Sequence, residues 1–317
     1  MWSSLTSQSV HLNSVKPLKG LDEYRANCVA ATRAALNAGA VVRAACPIDA
    51  GPLEAAGSVD GLAYVRCPRC RSLYLRDVAP PDAWARAVAE VSRSRHAMNG
   101  FHARLTAERA ASVYQPKLSW IENTLRLQGR RDSNVLEVAV EPSDFTSLLT
   151  ASAAVAAVSS AAEAVVSGGG ASVDAAVLLE AFDRSDDPPR LLNAVHSRLV
   201  PGGLIFVTAL VATGFDVVSL GFRNRYLYPP DRANCFSLAG LEQLLQGAGF
   251  DLLEVSTPGV LDVQIVNSHV EEDPATPLSA FERQLVSSSA AAQSAFQGFL
   301  QEHHLSSFAR LVGRKRA

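Results

Sequence analysis

From Asn134 onward the chain alternates blocks of apolar and polar residues in a way that spells strands and helices in turn. Val173-Asp174-Ala175-Ala176-Val177-Leu178-Leu179 is a nearly unbroken apolar run, the pattern of a strand buried on both faces of a parallel sheet. Residues Pro189 to Leu199 then place Leu191, Leu192, Val195 and Leu199 on one helical face, and Pro201-Gly202-Gly203 ends that helix before a second apolar strand, Leu204 to Thr208. A further helix, capped by Ser237 and closed at Gly249, carries Leu238, Leu241, Leu244 and Leu245, and Phe250 to Ser256 follows as a strand. Upstream, Val135-Leu136-Glu137-Val138 reads as the first strand of the series, Phe145, Leu148 and Leu149 open a helix, and Ala154 to Val158 read as the second strand. Only 14 residues, Ser159 to Ser172, separate that strand from Val173. The helix and strand that usually intervene are therefore short or missing, with Gly168-Gly169-Gly170 marking a loop. This alternation predicts an α/β fold, a doubly wound Rossmann-like sheet with right-handed crossovers.

The first part of the chain has a different texture. Residues 1–20 are polar and irregular, and Leu21 to Val42 form an Ala-rich helical pattern. Between residues 43 and 80, Pro, Gly and Cys punctuate short apolar pieces such as Gly61-Leu62-Ala63-Tyr64-Val65, which predicts a small β-rich knuckle. Asp82 caps a helix with Trp84, Val88 and Val91 on one side, and a second helix starts near Pro116 with Leu118, Ile121 and Leu125 at helical spacing. The tail from Pro277 reads as helical, with Phe281, Leu285, Phe296, Phe299 and Leu300 available for packing. The resulting division is an arm and helix over 1–42, the knuckle over 43–80, linking helices over 81–132, the Rossmann-like domain over 133–265 and a helical tail over 266–317.

Composition narrows the classes. At 48% apolar residues and a net charge of -2, the chain has no uncharged apolar run approaching the roughly 20 residues of a membrane span, and its opening lacks the apolar core of a secretory signal. The expectation is a cytoplasmic protein without membrane contact. Residues 43–132 hold 14 Arg and Lys against 9 Asp and Glu, an excess of +5, which reads as a solvated helical surface. Without aromatic residues interleaved among the basic ones, nucleic acid is disfavoured as a partner.

Three of the five cysteines cluster. Cys46-x2-Asp49 and Cys67-x2-Cys70 pair as the two halves of a zinc-ribbon-like knuckle, with Asp49 where a cysteine is usual. A tetrahedral zinc takes four such ligands, a carboxylate oxygen being admissible. The alternative is a knuckle that holds its shape without metal.

Four segments carry a resemblance. Leu178-Leu179-Glu180-Ala181-Phe182-Asp183-Arg184 through Asp187-Pro188, then Leu199-Val200-Pro201-Gly202-Gly203, then Tyr228-Pro229-Pro230-Asp231-Arg232-Ala233-Asn234-Cys235-Phe236-Ser237, and finally Ala248-Gly249-Phe250 occur in this order. In that order they resemble motifs of the class I S-adenosylmethionine-dependent methyltransferases, in particular the branch with an N-terminal zinc-binding knuckle. The resemblance covers about residues 43–265. It departs from the family at the cofactor loop, where Ala139, Glu141 and Ser143 stand in place of three glycines, and at Ser159 or Ser160, where an acid normally grips the ribose. Arg184 and Arg232 stand where the family has histidines.

The resemblance implies S-adenosylmethionine as cofactor, at Glu137, Ala139, Glu141, Ser159 and Glu180, and zinc at Cys46, Asp49, Cys67 and Cys70. It implies methyl transfer to an O, N or C nucleophile of a small-molecule acceptor, with Asp183, Tyr228, Asp231 and Arg232 as catalytic candidates. Tyr226 and His269 lie in segments that also border the cleft, and Arg184 and Arg232 either hold an anion or are simply exposed. The degenerate glycine motif leaves a second reading, a catalytically inactive methyltransferase-like binding or scaffold protein with a protein partner.

Overall fold

The computed structural model describes residues 10–15, 20–96, 109–140, 144–163, 166 and 169–316. Helix α1 (Leu21–Asn37) leads into a small sheet built from β1 (Glu54–Val59), β2 (Leu62–Arg66) and β3 (Leu73–Leu75), after which come α2 (Pro81–His96) and α3 (Gln115–Leu127). The α/β unit then runs through β4 (Ser133–Val138), α4 (Asp144–Thr150), β5 (Val155–Ala161), β6 (Val173–Leu179), α5 (Pro188–Arg198) and β7 (Leu199–Leu210). It continues with β8 (Asn234–Cys235), α6 (Leu238–Gly247), β9 (Phe250–Ser256), α7 (Asp262–Glu272), α8 (Ala280–Val286), α9 (Ala290–Glu302) and β10 (Phe308–Lys315).

The central sheet has six strands in the order β9-β10-β7-β6-β4-β5, with β5, β4, β6 and β7 parallel and β10 antiparallel to both its neighbours. Helices cover both faces, as a doubly wound sheet requires. On one face α3 and α4 bury Leu118, Ile121, Leu125, Phe145 and Leu149 against Val135, Val177 and Phe206, and Trp120 meets Phe206 edge-on at 5.3 Å between ring centroids. On the other face α5 and α6 pack Leu191, Leu192, Val195, Leu241 and Leu245 against Leu178, Ile205 and Val207. Among the described residues no strand forms between β5 and β6, so β5 is the sheet's edge, as the short interval predicts.

Local chemistry accounts for the helix limits. The Asp187 carboxylate accepts the Arg190 N–H at 3.1 Å at the start of α5, with Pro188 and Pro189 in the first turn. Ser237 Oγ accepts from Gly240 N–H at 2.9 Å at the start of α6, and Gly249, at φ 90, makes the left-handed turn into β9. Lys315 Nζ donates to the carbonyls of His196 and Leu199, each at 2.8 Å, placing a cation at the negative end of α5.

The tail corrects one expectation. Its helices α8 and α9 are present, but Phe308–Lys315 is a strand inserted between β7 and β9, with Ala309 to Gly313 buried. The strand carries Arg310 and Arg314 among its apolar residues, and its burial comes from two strands distant in sequence, β9 and β7. The knuckle is joined to the same body: β8 pairs with β3 to make a second sheet, β8-β3-β2-β1, and Ser237 N–H donates to Ser72 Oγ at 2.9 Å while Ser237 Oγ–H donates to the Cys70 carbonyl. Among the described residues no helix is long and apolar enough to cross a membrane.

Candidate functional site

In an open parallel sheet, ligands gather at the carboxyl ends of the strands where the strand order reverses. Here that place lies between β4 and β6. Glu137, buried near the end of β4, has a carboxylate that accepts a hydrogen bond from Thr146 Oγ. Ala139 N–H donates to the Ala161 carbonyl at 3.0 Å, and Ala139 and Val140 are half-buried without positive φ, so an L-residue sits there unstrained. Glu141 lies outside the described residues. Ser159 is exposed and pairs in register with Leu136, two residues before β5 ends at Ala161.

The residue that stands past the tip of β5 is Glu163, which the sequence pattern did not single out. Its carboxylate accepts from Ser185 Oγ at 2.7 Å and lies 3.8 Å from Arg190, spanning from β5 to the loop beyond β6. Burial pushes its pKa up to about 8. The overlooked signal is the length of the strand: small residues from Ser159 to Ala161 extend β5 beyond Val158 and move its tip toward Glu163.

At the tip of β6 the catalytic candidates converge on one ionic network. Glu180 adopts a left-handed conformation, φ 57, and donates its N–H to the Thr208 carbonyl at 2.8 Å, which fixes the turn out of the strand. Its carboxylate lies 2.8 Å from Arg232, 3.5 Å from Arg184 and 3.9 Å from Lys117. Burial works against its ionisation, but those three cations, Arg232 foremost, hold it well below the usual carboxylate range. Asp183, fully buried, accepts from Arg232 Nη1 and from the Leu210 N–H, each at 3.0 Å, while its Oδ1 has no hydrogen-bond partner. Burial therefore pushes Asp183 up to about 7 against the pull of Arg232. Asp231 accepts from Arg184 Nε at 3.0 Å, from Tyr24 Oη–H at 3.0 Å and from Arg95. Burial opposes its ionisation too, yet Arg95, Arg184 and Arg232 bring it down to about 2.

Tyr228 stands beside this network, its ring edge-on to Tyr24 at 6.2 Å, with burial raising its phenol well above the ordinary value. The structure thus brings Asp183, Tyr228, Asp231 and Arg232 together with Glu180. Arg184 and Arg232 are neither exposed nor free for an outside anion: carboxylates of the chain hold both. Cys235 is packed small in the core, and His303 and His304 are exposed.

A cavity of about 1480 Å³ opens at this network and runs between α3 and the sheet face that carries Phe308 and Arg310; its lining includes Lys117, Trp120, Glu180, Tyr228, Asp231 and Arg310. Asp183 lies behind Arg232, outside the lining, and so does His269, while Tyr226 is part of it. Of the described cofactor candidates Glu180 is shared between the strand-end cleft and the cavity.

The knuckle brings the four candidate ligand atoms of Cys46, Asp49, Cys67 and Cys70 within 4.8 Å of one another. Two matched turns do this. Cys46 and Cys67 each accept the N–H four residues on, from Ala50 at 3.0 Å and Arg71 at 2.8 Å, and each donates to the carbonyl five residues on, at Gly51 and Ser72. Ala50 and Arg71 both have positive φ, 53 and 64. Cys46 Sγ lies 3.6 Å from Cys70 Sγ, Asp49 Oδ2 lies 3.4 Å from Cys67 Sγ, and the Cys70 N–H points at Cys67 Sγ at 3.5 Å. Sulfurs about 3.8 Å apart are what a tetrahedron of roughly 2.3 Å zinc–sulfur bonds requires. The Cys46 thiol, as donor, draws Cys70 down to about 7.

A family profile described as "Methyltransferase domain" matches residues 82–255. Among curated proteins none matches the sequence. Among solved structures the chain is similar to a candidate sarcosine dimethylglycine methyltransferase from Galdieria sulphuraria, at 14% identity over 64% of this chain and 86% of that one, with a TM-score of 0.42. It is also similar to phosphoethanolamine N-methyltransferase 2 of Haemonchus contortus, solved with S-adenosyl-L-methionine, at 16% identity over 62% and 53% of the two chains and a TM-score of 0.39. A third is the cyclopropane synthase MmaA2 of Mycobacterium tuberculosis, at 12% identity over 62% and 84%, with a TM-score of 0.37.

Proposed function

The chain belongs to the methyltransferase-domain family, and from that premise we propose that it transfers a methyl group from S-adenosylmethionine to an O, N or C nucleophile of a small molecule held in the cavity beside Glu180. The observation that carries this reading is the position of the cavity: it opens at the carboxyl ends of β6 and β7, next to the crevice in which a sheet of this topology binds its cofactor. When bound, the cofactor supplies an electrophilic methyl group on a positively charged sulfur. The residues we assign to it are Glu137, Ala139, Glu141, Ser159 and Glu180, with Glu163 added for the ribose hydroxyls. The fit is supported by the ordinary φ of Ala139, which demands no glycine, and by half-buried carboxylates on both sides of the crevice at Glu163 and Glu180.

Of the catalytic candidates, Tyr228, Asp231 and Arg232 border the cavity, which supports assigning them to the acceptor. Asp231, held ionised by three arginines, is a fixed hydrogen-bond acceptor that orients a hydroxyl or amine, and Tyr228, with its raised pKa, stays a phenol and a donor. Asp183 acts through Arg232 and is a positioning residue. In the knuckle, Cys46, Asp49, Cys67 and Cys70 would hold a structural zinc, four protein ligands being the set of a structural rather than a catalytic site, and Cys70 is tied by its carbonyl to Ser237 at the start of α6. Incubation with S-adenosylmethionine labelled in its methyl carbon and a panel of small hydroxyl, amine and activated-carbon acceptors tests the reading. Label transfer to a panel member is expected; cofactor binding without transfer to any would favour the inactive binding protein.

A further inference from the structure

The half-buried arginines of the network beside the cavity are answered by carboxylates. Arg95, Arg184 and Arg232 all lie at 3.0 Å or less from Asp231, Asp183 or Glu180. Two cations that line the cavity break the pattern. Lys117, on α3, is 6% exposed, and its nearest carboxylate oxygen is Glu180 Oε1 at 3.9 Å, beyond hydrogen-bond reach, while Arg232 holds the other oxygen, Oε2, at 2.8 Å. Arg310, on β10, is 8% exposed, its Nε has no hydrogen-bond partner, and among the described residues it makes no ion pair.

The nearby carboxylates are committed elsewhere. Glu254 accepts from Trp120 Nε1 and from Ser256 Oγ, each at 2.8 Å, and Asp262 is held by Ser306, Ser307 and Gln297. What Lys117 and Arg310 do share is an aromatic floor. Lys117 Nζ is 5.2 Å from the Phe308 ring centroid, and the Arg310 guanidinium is 6.0 Å from the same ring and 5.2 Å from that of Trp120. Ring faces stabilise a cation but leave its N–H donors unmet. A third cation of the lining, Arg109, gives one N–H to the Val15 carbonyl at 2.9 Å and leaves its Nε without a partner. Burial also lowers Lys117 to about 8, consistent with a cation short of compensating charge. A buried charge is tolerated when paired, and the missing partner has an open space to arrive through.

Resting on the reading of this cavity as the acceptor site, we propose that the acceptor carries an anionic oxygen group, carboxylate or phosphate, seated between Lys117 and Arg310 and backed by Phe308 and Trp120. The two donors reach in from opposite walls, one on α3 and one on the sheet. A planar carboxylate or a phosphate can accept from the guanidinium and from the ammonium at once. The apolar part of the acceptor then lies along Leu210 and Leu253, which line the same space.

Titration of the full chain with benzoate, phenyl phosphate and neutral benzyl alcohol tests this. At least one anion is expected to bind about tenfold or more tighter than benzyl alcohol, with an affinity that falls as salt rises. The preferred anion tells carboxylate from phosphate. Arg310→Gln and Lys117→Met are each expected to weaken the anion about tenfold and leave benzyl alcohol unchanged, and Arg310→Lys to retain most of the affinity. Equal binding of the neutral analogue by wild-type protein overturns the proposal without reference to any variant. So does a variant that melts like wild type yet binds the anion unchanged. A parallel titration with S-adenosylhomocysteine separates the two claims: binding of that product without anion preference overturns the acceptor charge alone, and anion preference without it supports the anion site while contradicting methyl transfer.

Discussion

Arg232 holds Glu180 and Asp183 at the same time, one guanidinium nitrogen 2.8 Å from Glu180 and another 3.0 Å from Asp183. The two carboxylates fare differently under one cation. Glu180 has Lys117 and Arg184 as well and stays ionised, whereas Asp183 has one oxygen without a partner and sits near 7. Arg232 is therefore the tie between the tip of β6 and the loop before β8.

Replacing Arg232 with Gln leaves Asp183 buried without a counter-charge. Removing one partner of a buried pair costs about 3–5 kcal/mol, so urea unfolding at pH 7 is expected to show a loss of about 3 kcal/mol, reduced when Asp183→Asn is added. A loss within a few tenths of a kcal/mol would show that the pair is not buried as described.

Glu163 sets a pH dependence. Its pKa is raised on folding, from about 4.5 to about 8, so the folded chain retains a proton there that the unfolded chain has lost. The stabilisation is complete below pH 4.5 and disappears as pH rises through 8. Glu163→Gln removes this dependence, and the variant is expected to gain on wild type by on the order of 1–3 kcal/mol between pH 5 and pH 8 in denaturant unfolding. Asp231, lowered to about 2, acts at the other end: its contribution is present above 3.8 and is lost as pH falls toward 2. A Glu163→Gln stability curve parallel to wild type from pH 5 to 8 would contradict the burial of that carboxylate.

The knuckle is expected to carry about one zinc per chain when the protein is purified without chelator. Stripping it, or Cys67→Ser, should lower the melting temperature and loosen α6 first, because Ser237 anchors that helix to Cys70 and Ser72. Hydrogen exchange at Leu238 to Leu245 gives the readout. Metal analysis well below one equivalent would contradict the four-ligand assignment.

Much of this architecture was legible in the chain because local periodicity and capping decide it. The apolar run of β6, the Ser237 cap and the glycine after α6 all stand where the pattern put them, and the Cys46, Asp49, Cys67 and Cys70 spacing found its cluster. What stayed hidden depends on residues that meet only in three dimensions. The strand β10 carries Arg310, Arg314 and Lys315 among its apolar residues, and it becomes an interior strand by pairing with β7 on one side and β9 on the other. Arg95, Arg184 and Asp231 lie far apart in sequence, and although Asp231 stood out as a catalytic candidate, its pairing with the two arginines appears only in three dimensions. Glu163 was masked by small residues that blurred the end of β5, and Lys117 and Arg310 gain their meaning from a cavity between two elements that no sequence window contains.

Calorimetric titration of the purified full chain with S-adenosylmethionine and S-adenosylhomocysteine tests the central claim most directly. The account predicts micromolar binding of both, near one equivalent per chain, weakened by about tenfold or more in Glu180→Gln. Absence of heat up to millimolar ligand, with the fold intact by melting, would contradict it.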